Sequence, residues 1–421
     1  MPRKEVSIST REQQANGGDM KIGINGRFLA AKRTGVQRAA YNLIRSLVTV
    51  DRINEYFLFT SEDQASNPDW QHENVTVVPS RIREGENIRN HIWEQFTLPK
   101  LAKKYKVDLL HSPANLAPIL YKGKSVVHIH DLCFVVNPQW YSFSFRTLYN
   151  LVIPRLARRA AKVITNSNNS RNDLLQYCNL EADKVSQVYW AVDDLFLESI
   201  KDTAVPHDVG LDDYILYVGS LEPRKNIGTL LEAYEQMRSS NPTIKTKLVL
   251  IGGESHVFAD VRLKVKNYVE DVYFKGFVND QMLLSFYKNA RLFVYPSLYE
   301  GFGLPPLEAM ASGIPVVTSI TSSIPEVVGN AALMVSPYDV KQLSETMNRV
   351  LTDEELRAVM VKRGLEQVKK FNWYRVARNT LAVYYEVHAS NQKTSRSIPF
   401  ELWKSLTKLE KQQTLQTAPG S

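Results

Sequence analysis

Short apolar runs recur along this chain, each closed by a polar turn and followed by a longer stretch of helical period. From Lys21, KIGING leads into GVQRAAYNLIRSLV, and EYFLFT and VTVVPS follow. A helix is expected around HIWEQFTLPKLAKKY, then the strands VDLLHS and SVVHIHD, a helix through RTLYNLVIPRLARRAA, and KVITNS running into SRNDLLQY. Apolar runs bounded by polar turns, with helical stretches between them, predict parallel strands joined by crossover helices. After VSQVYWAV the rhythm pauses at KDTAVPHDVGLDD, a charged segment carrying Pro206 and Gly210 that reads as a linker. It then restarts with YILYVGS, TKLVLIGG, VYFKGFV, ARLFVYPS, PVVTS and ALMVS, again separated by helical stretches. The pattern therefore predicts an α/β protein of two tandem halves, each an open sheet covered by helices on both faces.

The expected division is a disordered leader over 1–19, a first α/β domain over 20–200 and the linker over 201–213. A second α/β domain follows over 214–372, then a helix over 373–388 that is free to cross back to the first domain, and a polar tail over 389–421. Met20 is an alternative start. The tail is Lys-rich, with one amphipathic set at Phe400, Leu402, Leu406 and Leu409. It reads either as a disordered tail with a frayed helix or as a surface-binding helix.

Composition narrows the class. With 421 residues, 44% of them hydrophobic, the chain can bury more than one core. Its two cysteines, Cys133 and Cys178, lie far apart, which argues against a disulfide scaffold or a zinc cluster and for a reducing compartment. The first twenty residues hold no apolar core of a secretory signal, and no run is long enough to span a bilayer. The expected location is the cytoplasm, with peripheral contact at the inner face of the plasma membrane. A formal net charge of +8 suits anionic partners such as nucleotides or an acidic membrane surface, or else a basic solvated exterior. Nucleic acid is not among the expected partners, because no recognised module occurs and the basic residues are scattered.

In open α/β sheets ligands sit beyond the carboxyl ends of strands, and five such loops hold unusual residues. In LYEGFGLPPLEAMASG, Gly301 and Gly303 allow close backbone approach, and Pro305 and Pro306 preset entry into a small-residue helix. Amides at that helix start attract anionic oxygens, Glu308 can accept both hydroxyls of a ribose, and Glu300 can bond sugar hydroxyls. Solvent-facing glutamates on a capped turn are the bland alternative. In YVGSLEPRKN, Arg224 and Lys225 stand beside a helix start and form a candidate diphosphate clamp, or a solvated basic turn. Gly35, after Thr34, opens a helix whose amides can reach a phosphate. In VVHIHDL, His128 and His130 share a strand face. They read as part of a metal site, as a cleft histidine supported by Asp131, or as a core histidine. In ITNSNNSR, Ser167 or Asn166 can bond a ligand, while Ser170 is the expected helix cap.

Together these segments resemble the retaining glycosyltransferases of the GT-B fold, in particular the GT4 family. The resemblance runs from about Lys21 to His388 and rests chiefly on EGFGLPPLE followed by SGIPVVTSITSSIPEVVGNAALMVSP, with GSLEPRKN and IHDL in support. It implies two Rossmann-like α/β domains facing each other across a cleft, the first, over 20–200, for the acceptor and the second, over 214–372, for the nucleotide sugar. It further implies that Glu308 holds the nucleotide ribose and Glu300 contacts the donor sugar. Phe302, Gly303 and Leu304 would present amides to sugar and diphosphate, and Lys225 would neutralise the leaving diphosphate. His130 would contact the donor near its reacting carbon, Gly35 would abut the phosphates, and KGFV, ending at Val278, would contact the base. Where many relatives have Gly-Arg-Leu this chain has Gly219-Ser220-Leu221, so Arg224 is the expected substitute guanidinium.

No cofactor and no metal are implied, since the fixed cations meet the developing charge. The implied partners are a nucleotide sugar, GDP-mannose in the first instance, and a saccharide on a polyprenyl diphosphate in surface-polysaccharide or O-antigen assembly. NHIWEQFTLPKLAKKYK and WYSFSFRTLYNLVIPRLARRAAK, which mix aromatic with basic residues, are the candidate membrane-facing helices. Two other functions remain open at this point: a non-catalytic nucleotide-sugar-binding or scaffold protein, and a nucleotide-sugar epimerase.

Overall fold

The computed structural model of the chain describes residues 19–31, 35–199, 209–253 and 269–390. Residues 1–18 of the expected leader, Thr34, residues 201–208 of the linker, the helix expected after TKLVLIGG, and the tail with Phe400, Leu402, Leu406 and Leu409 lie outside the described residues.

Two parallel sheets organise the rest. The first contains β1 (Lys21–Asn25), β2 (Glu55–Ser61), β3 (Val75–Ser80), β4 (Leu109–Ser112), β5 (Lys124–His128), β6 (Lys162–Thr165) and β7 (Val185–Gln187). Their spatial order is β3-β2-β1-β4-β5-β6-β7. The second contains β8 (Tyr214–Val218), β9 (Lys247–Ile251), β10 (Val272–Gly276), β11 (Leu292–Tyr295), β12 (Val316–Ser319) and β13 (Leu333–Val335), in the order β10-β9-β8-β11-β12-β13. The strands are short, and central ones such as YILYV and LFVY are buried on both faces. In each sheet the chain winds outward one way from the first strand and then returns to its other side. That leaves a crevice at the carboxyl ends of β1 and β4, and another at those of β8 and β11.

The helix Trp373–Ala389 buries Trp373, Val376, Ala377, Thr380, Leu381 and Tyr384, a stripe at three- and four-residue spacing. Although it follows the second sheet in sequence, it packs on the helix Gly35–Val50 of the first. Lys124 Nζ donates to the carbonyls of Val387 and His388 at 2.8 and 3.0 Å, and Asn54 Nδ2 donates to Tyr385 Oη at 3.1 Å. Leu381 is fully buried in this seam, and truncating it to Ala would cost about 2–5 kcal/mol.

Three local expectations change. Ser167, not Ser170, caps the helix Asn168–Cys178: its hydroxyl accepts the Ser170 amide at 3.0 Å, because Ser167 is the last extended residue before the turn. The strand expected through SVVHIHD ends at His128, since the His130 amide leaves the ladder for the Asn115 side chain at 2.9 Å. His130 is therefore a loop residue. Within the helical stretch from Asn87 to Lys104, the turn Trp93–Thr97 is π-helical, a feature with no period of its own in the sequence.

Candidate functional site

At the crevice between β8 and β11, the strand ends converge with two loops. The turn Pro223–Lys225 follows β8 and ends at Asn226, whose left-handed backbone starts the helix Ile227–Ser240. Lys225 Nζ lies 2.5 Å from Glu300 Oε1 and 2.5 Å from Tyr295 Oη, and Tyr295 Oη donates to the same carboxylate oxygen at 2.9 Å. Arg224 Nη1 donates to Glu300 Oε2 at 3.1 Å while its Nε holds Glu222 at 2.8 Å. Both oxygens of Glu300 are thus engaged by neighbouring cations. Burial pushes the Glu300 carboxyl up, but Lys225 and Arg224 overcome that and hold it at about 2. Burial pulls the Lys225 amine below its usual value, as does Arg224, with Glu300 opposing. Two cations and two carboxylates share one knot, in which Glu300 offsets part of the cost of burying Lys225.

The loop that carries Glu300 is fixed from behind. Ser322 Oγ accepts the Glu300 amide and donates to the Glu300 carbonyl, both at 2.7 Å, and Ser323 Oγ reaches the Glu300 and Phe302 carbonyls at 2.9 Å. Gly303 has φ of 104°, where a side chain is disfavoured, and an added Cβ would meet Ile324 Cδ1 at 2.7 Å. It is the N-terminal cap of the helix Leu304–Ala311 and supplies no side chain to that cap. Glu308 sits five residues beyond Gly303, about 7.5 Å along the axis. It is 8% exposed, and its Oε2 accepts from Tyr287 Oη at 2.9 Å. Burial raises its carboxyl, with the Arg38 guanidinium and the Tyr287 hydroxyl opposing. Arg38 belongs to the first half, one turn after the exposed Gly35, and forms an ion pair with Asp280 of the second.

His130 approaches from the first half. Ser170 Oγ donates to the His130 carbonyl at 2.9 Å and to the Gly301 carbonyl at 3.3 Å. A Cβ on Gly301 would lie 2.7 Å from the His130 oxygen, so this close approach needs glycine. The His130 ring is buried against Trp190, at 4.6 Å between centroids, and Phe302 packs on the same indole at 6.0 Å. Nε2 faces the Pro113 carbonyl at 3.0 Å, which can only accept, so Nε2 carries the proton and Nδ1 is left a buried acceptor without a hydrogen bond. Burial lowers the imidazole to about 3, which keeps it neutral. Asp131, expected to support it, instead accepts the Cys133 amide at 3.0 Å.

Arg224, Lys225 and Glu300 are in direct contact. Gly301 to Leu304 and His130 border the same loop, Glu308 stands one helix turn further, and Gly35 lies on the facing helix start. Ser167 is placed differently: its hydroxyl is spent on the helix cap and fully buried. Val278, half buried just past β10, packs on the core beside an exposed Phe277. Sequence reasoning missed Tyr295, Trp190, the Arg38–Asp280 pair and His111, whose ring lies 4.8 Å from His128. It also missed Glu326, which accepts the amides of Asn168 and Asn169 and the Tyr189 hydroxyl at 2.9–3.0 Å across the two halves. Only the stretch SSIPEVV hinted at that carboxylate. Among the described residues no group of three or more His, Cys, Asp or Glu side chains is placed to hold a metal ion, and no helix is long and apolar enough to cross a membrane.

Comparison with known proteins bears on the same two halves. The profile of glycosyl transferases group 1 matches residues 205–367, and that of Glycosyltransferase Family 4 matches residues 33–194. The chain is 29% identical over 366 residues to O-antigen chain mannosyltransferase B of Escherichia coli, covering 83% of this chain and 96% of that one. It is 30% identical over 299 residues to the serotype-specific mannosyltransferase WbdA of the same organism, where it spans 35% of the relative's length and 67% of its own. Among solved structures, sucrose-phosphate synthase from Thermosynechococcus elongatus superposes with a TM-score of 0.67 at 21% identity, over 88% of this chain and all of that one. The architecture is GT-B.

Proposed function

The chain belongs to the group 1 glycosyltransferases, with a family 4 first half, and on that footing we propose that it transfers mannose from GDP-mannose, with retention of configuration, to a lipid-linked saccharide. The observation that carries the donor half of this reading is the Arg224–Lys225–Glu300 knot at the β8/β11 crevice, one loop away from the glycine-started helix at Leu304. When the bond from the anomeric carbon to the diphosphate breaks, its electron pair leaves on a phosphate oxygen. The Lys225 ammonium and the amides at Gly303 and Leu304 stabilise that charge without reorganising, and such fixed donors are worth far more in a buried site than in water. Glu308 accepts the ribose hydroxyls, and the neutral His130 offers Nδ1 to a sugar hydroxyl near the reacting carbon. The acceptor oxygen then bonds to that carbon and its proton leaves with the nucleoside diphosphate. No divalent cation takes part, so transfer continues at an unchanged rate in excess chelator.

The mannosyl assignment is supported by the names of the relatives and by no single residue. A thermal-shift screen of GDP-, UDP- and dTDP-sugars tests it directly, because a ligand that binds only the folded chain raises the unfolding temperature. GDP-mannose is expected to give the largest shift. A larger shift with a UDP-sugar would overturn the donor assignment while leaving the transferase intact. The lipid acceptor implies work at a membrane surface, and the exposed Ile88, Ile92 and Phe96 form a stripe at four-residue spacing beside Arg89 and Lys100 that suits an anionic leaflet.

A further inference from the structure

The helix Gly35–Val50 turns a polar stripe toward the second half, and the donor reading leaves that stripe unused. Arg38, Asn42 and Arg45 follow one another at four- and three-residue spacing, which puts them on one face. Arg38 forms an ion pair with Asp280, the first residue of the helix Asp280–Asn289. Asn42 Nδ2 donates to Asp193 Oδ2 at 2.9 Å, and Arg45 forms an ion pair with Asp194. Asp193 precedes and Asp194 begins the short helix Asp194–Ser199, which packs on the helix Leu304–Ala311. That helix sets Phe196 edge-on against Tyr287, 5.4 Å between centroids, and Tyr287 in turn donates to Glu308. The stripe thus leads from the first half to the surroundings of Glu308.

Arg38 differs from its neighbours on the stripe. The Arg45–Asp194 side chains are 31% and 45% exposed, and an ion pair in that setting contributes little. The Arg38 side chain is only 18% exposed. It reaches Asp280 through the single nitrogen Nη2, so its planar charge is not confined to that pair. Burial raises the Glu308 carboxyl; Arg38 and then the Tyr287 hydroxyl oppose this, while Asp193 and Asp280 reinforce it. Burial likewise works against the Arg38 guanidinium, yet Glu308, then Asp280 and Asp193, hold it above its usual value. The other elements packed on the helix Leu304–Ala311 meet it through uncharged residues. Gly364 lies against Met310, Ile324 lies beside Gly303, and Tyr295 of β11 gives its hydroxyl to Glu300. Glu308, Asp193 and Asp280 repel one another when Arg38 is withdrawn, and a buried carboxyl answers such repulsion by taking up a proton. A protonated Glu308 turns one oxygen into a donor and no longer accepts from both ribose hydroxyls.

Resting on the reading that Glu308 holds the nucleotide ribose, we propose that Arg38 is a positioning residue for the donor: it keeps Glu308 charged from the opposite half without touching the nucleotide. The first half then takes part in ribose binding through its charge alone. Linkage makes the effect reciprocal. A nucleotide that needs Glu308 ionised strengthens the hold of Arg38 on the second half, and a seated Arg38 strengthens the hold of Glu308 on the ribose. The sign of the pH dependence follows. Nucleotide affinity is complete above the Glu308 carboxyl value and is lost as pH falls through it. Removing Arg38 lifts that value, so the loss must set in at higher pH.

The test is calorimetry of GDP binding to the full chain as a function of pH, with UDP in its place if GDP gives no heat, since both carry the ribose. Arg38→Met removes the charge and keeps most of the stem. Its affinity should begin to fall about one pH unit or more above the wild type, by about tenfold per further unit of acid, and recover on the alkaline side. Arg38→Lys retains a cation and should bring the midpoint back to within about half a unit of the wild type. Adding Asp280→Asn to Arg38→Met removes a repelling carboxylate and should move the midpoint part of the way down. Arg45→Met loosens the same helix at its exposed pair and should leave the midpoint where it is. A midpoint unchanged in Arg38→Met, or a loss of affinity equal at every pH, would overturn the role of Arg38. Glu308→Gln separates this inference from the reading beneath it. If that variant keeps the wild-type affinity and profile, the ribose reading has failed; if it abolishes the pH dependence while Arg38→Met preserves it, only the role of Arg38 has.

Discussion

Replacing Lys225 with Met removes one cation from the knot around Glu300 and leaves its volume nearly unchanged. Nζ lies 2.5 Å from Glu300 Oε1, and both side chains are less than a tenth exposed. Breaking a buried pair on one side costs about 3–5 kcal/mol, because the survivor is left charged and dry. Arg224 still faces Glu300 Oε2 at 3.1 Å, which sets the expected cost at the lower end, about 3 kcal/mol. Glu300→Gln leaves two buried cations side by side and should cost a similar amount. The double variant removes both charges, so its loss should resemble that of one single variant, giving a coupling energy of about 2–3 kcal/mol. Urea unfolding of the four proteins reads this out. The pH dependence has a definite sign. The Glu300 carboxyl is held at about 2 in the folded chain against an ordinary 4.5, so its contribution is complete above about pH 4.5 and disappears as pH falls toward 2. A depression of that size corresponds to roughly 3 kcal/mol, and Lys225→Met should lose most of the acid-labile part. Turnover should fall about 10²–10³-fold in Lys225→Met, as when one fixed donor to a developing negative charge is removed. Additive single-variant losses in the double variant, or transfer by Lys225→Met within fivefold of the wild type, would refute this reasoning.

Glu308→Gln should weaken GDP-mannose binding about tenfold in calorimetry, and in the wild type the same affinity should decline at acid pH starting above pH 4.5, since burial raises the Glu308 carboxyl and protonation removes an acceptor. Equal affinity in the variant would remove the ribose role. Gly301→Ala puts a methyl 2.7 Å from the His130 carbonyl, so the loop must retreat from the first half. A tenfold or greater fall in kcat with donor affinity kept is expected, and a wild-type kcat would mean that the close approach is irrelevant to turnover. Changing Ile88, Ile92 and Phe96 together to Ser should abolish co-sedimentation with phosphatidylglycerol vesicles without altering the GDP-mannose thermal shift; unchanged sedimentation would remove that stripe as the membrane contact.

Most strands were legible because they are short, largely apolar stretches of three to seven residues closed by a polar turn. KIGIN, YILYV and LFVY are strands for that reason. The helix at Trp373 was legible in its period, but its seat on Gly35–Val50 is a matter of partner, and period says nothing of partners. The misassigned cap shows the same limit on a small scale. ITNSNNSR offers two serines three apart, and the choice between them depends on where the extended backbone ends, which Val188 decides through its bond to the Thr165 carbonyl at 2.8 Å. His130 was expected on a strand because VVHIH alternates, yet the Asn115 side chain takes its amide.

The same contrast divides the two crevices. At β8/β11 the chemistry is concentrated in two short segments, so Arg224, Lys225, Glu300 and Glu308 could be picked out before any geometry was known. At β1/β4 the side chains that meet, Asn25, Arg27, His91, Glu94 and Ser112, come from three separate segments of the chain, and none stands in a dense motif. Yet the topology treats the crevices alike. Each lies where the winding of a parallel sheet reverses, each holds a buried glutamate bonded to an arginine, and the halves meet through Ser170, Gly301 and Glu326 so that the two rims face each other. A transferase must hold two substrates with their reacting atoms about 3 Å apart. A sheet reversal provides one ligand crevice, so two reversals turned toward one another provide the pair.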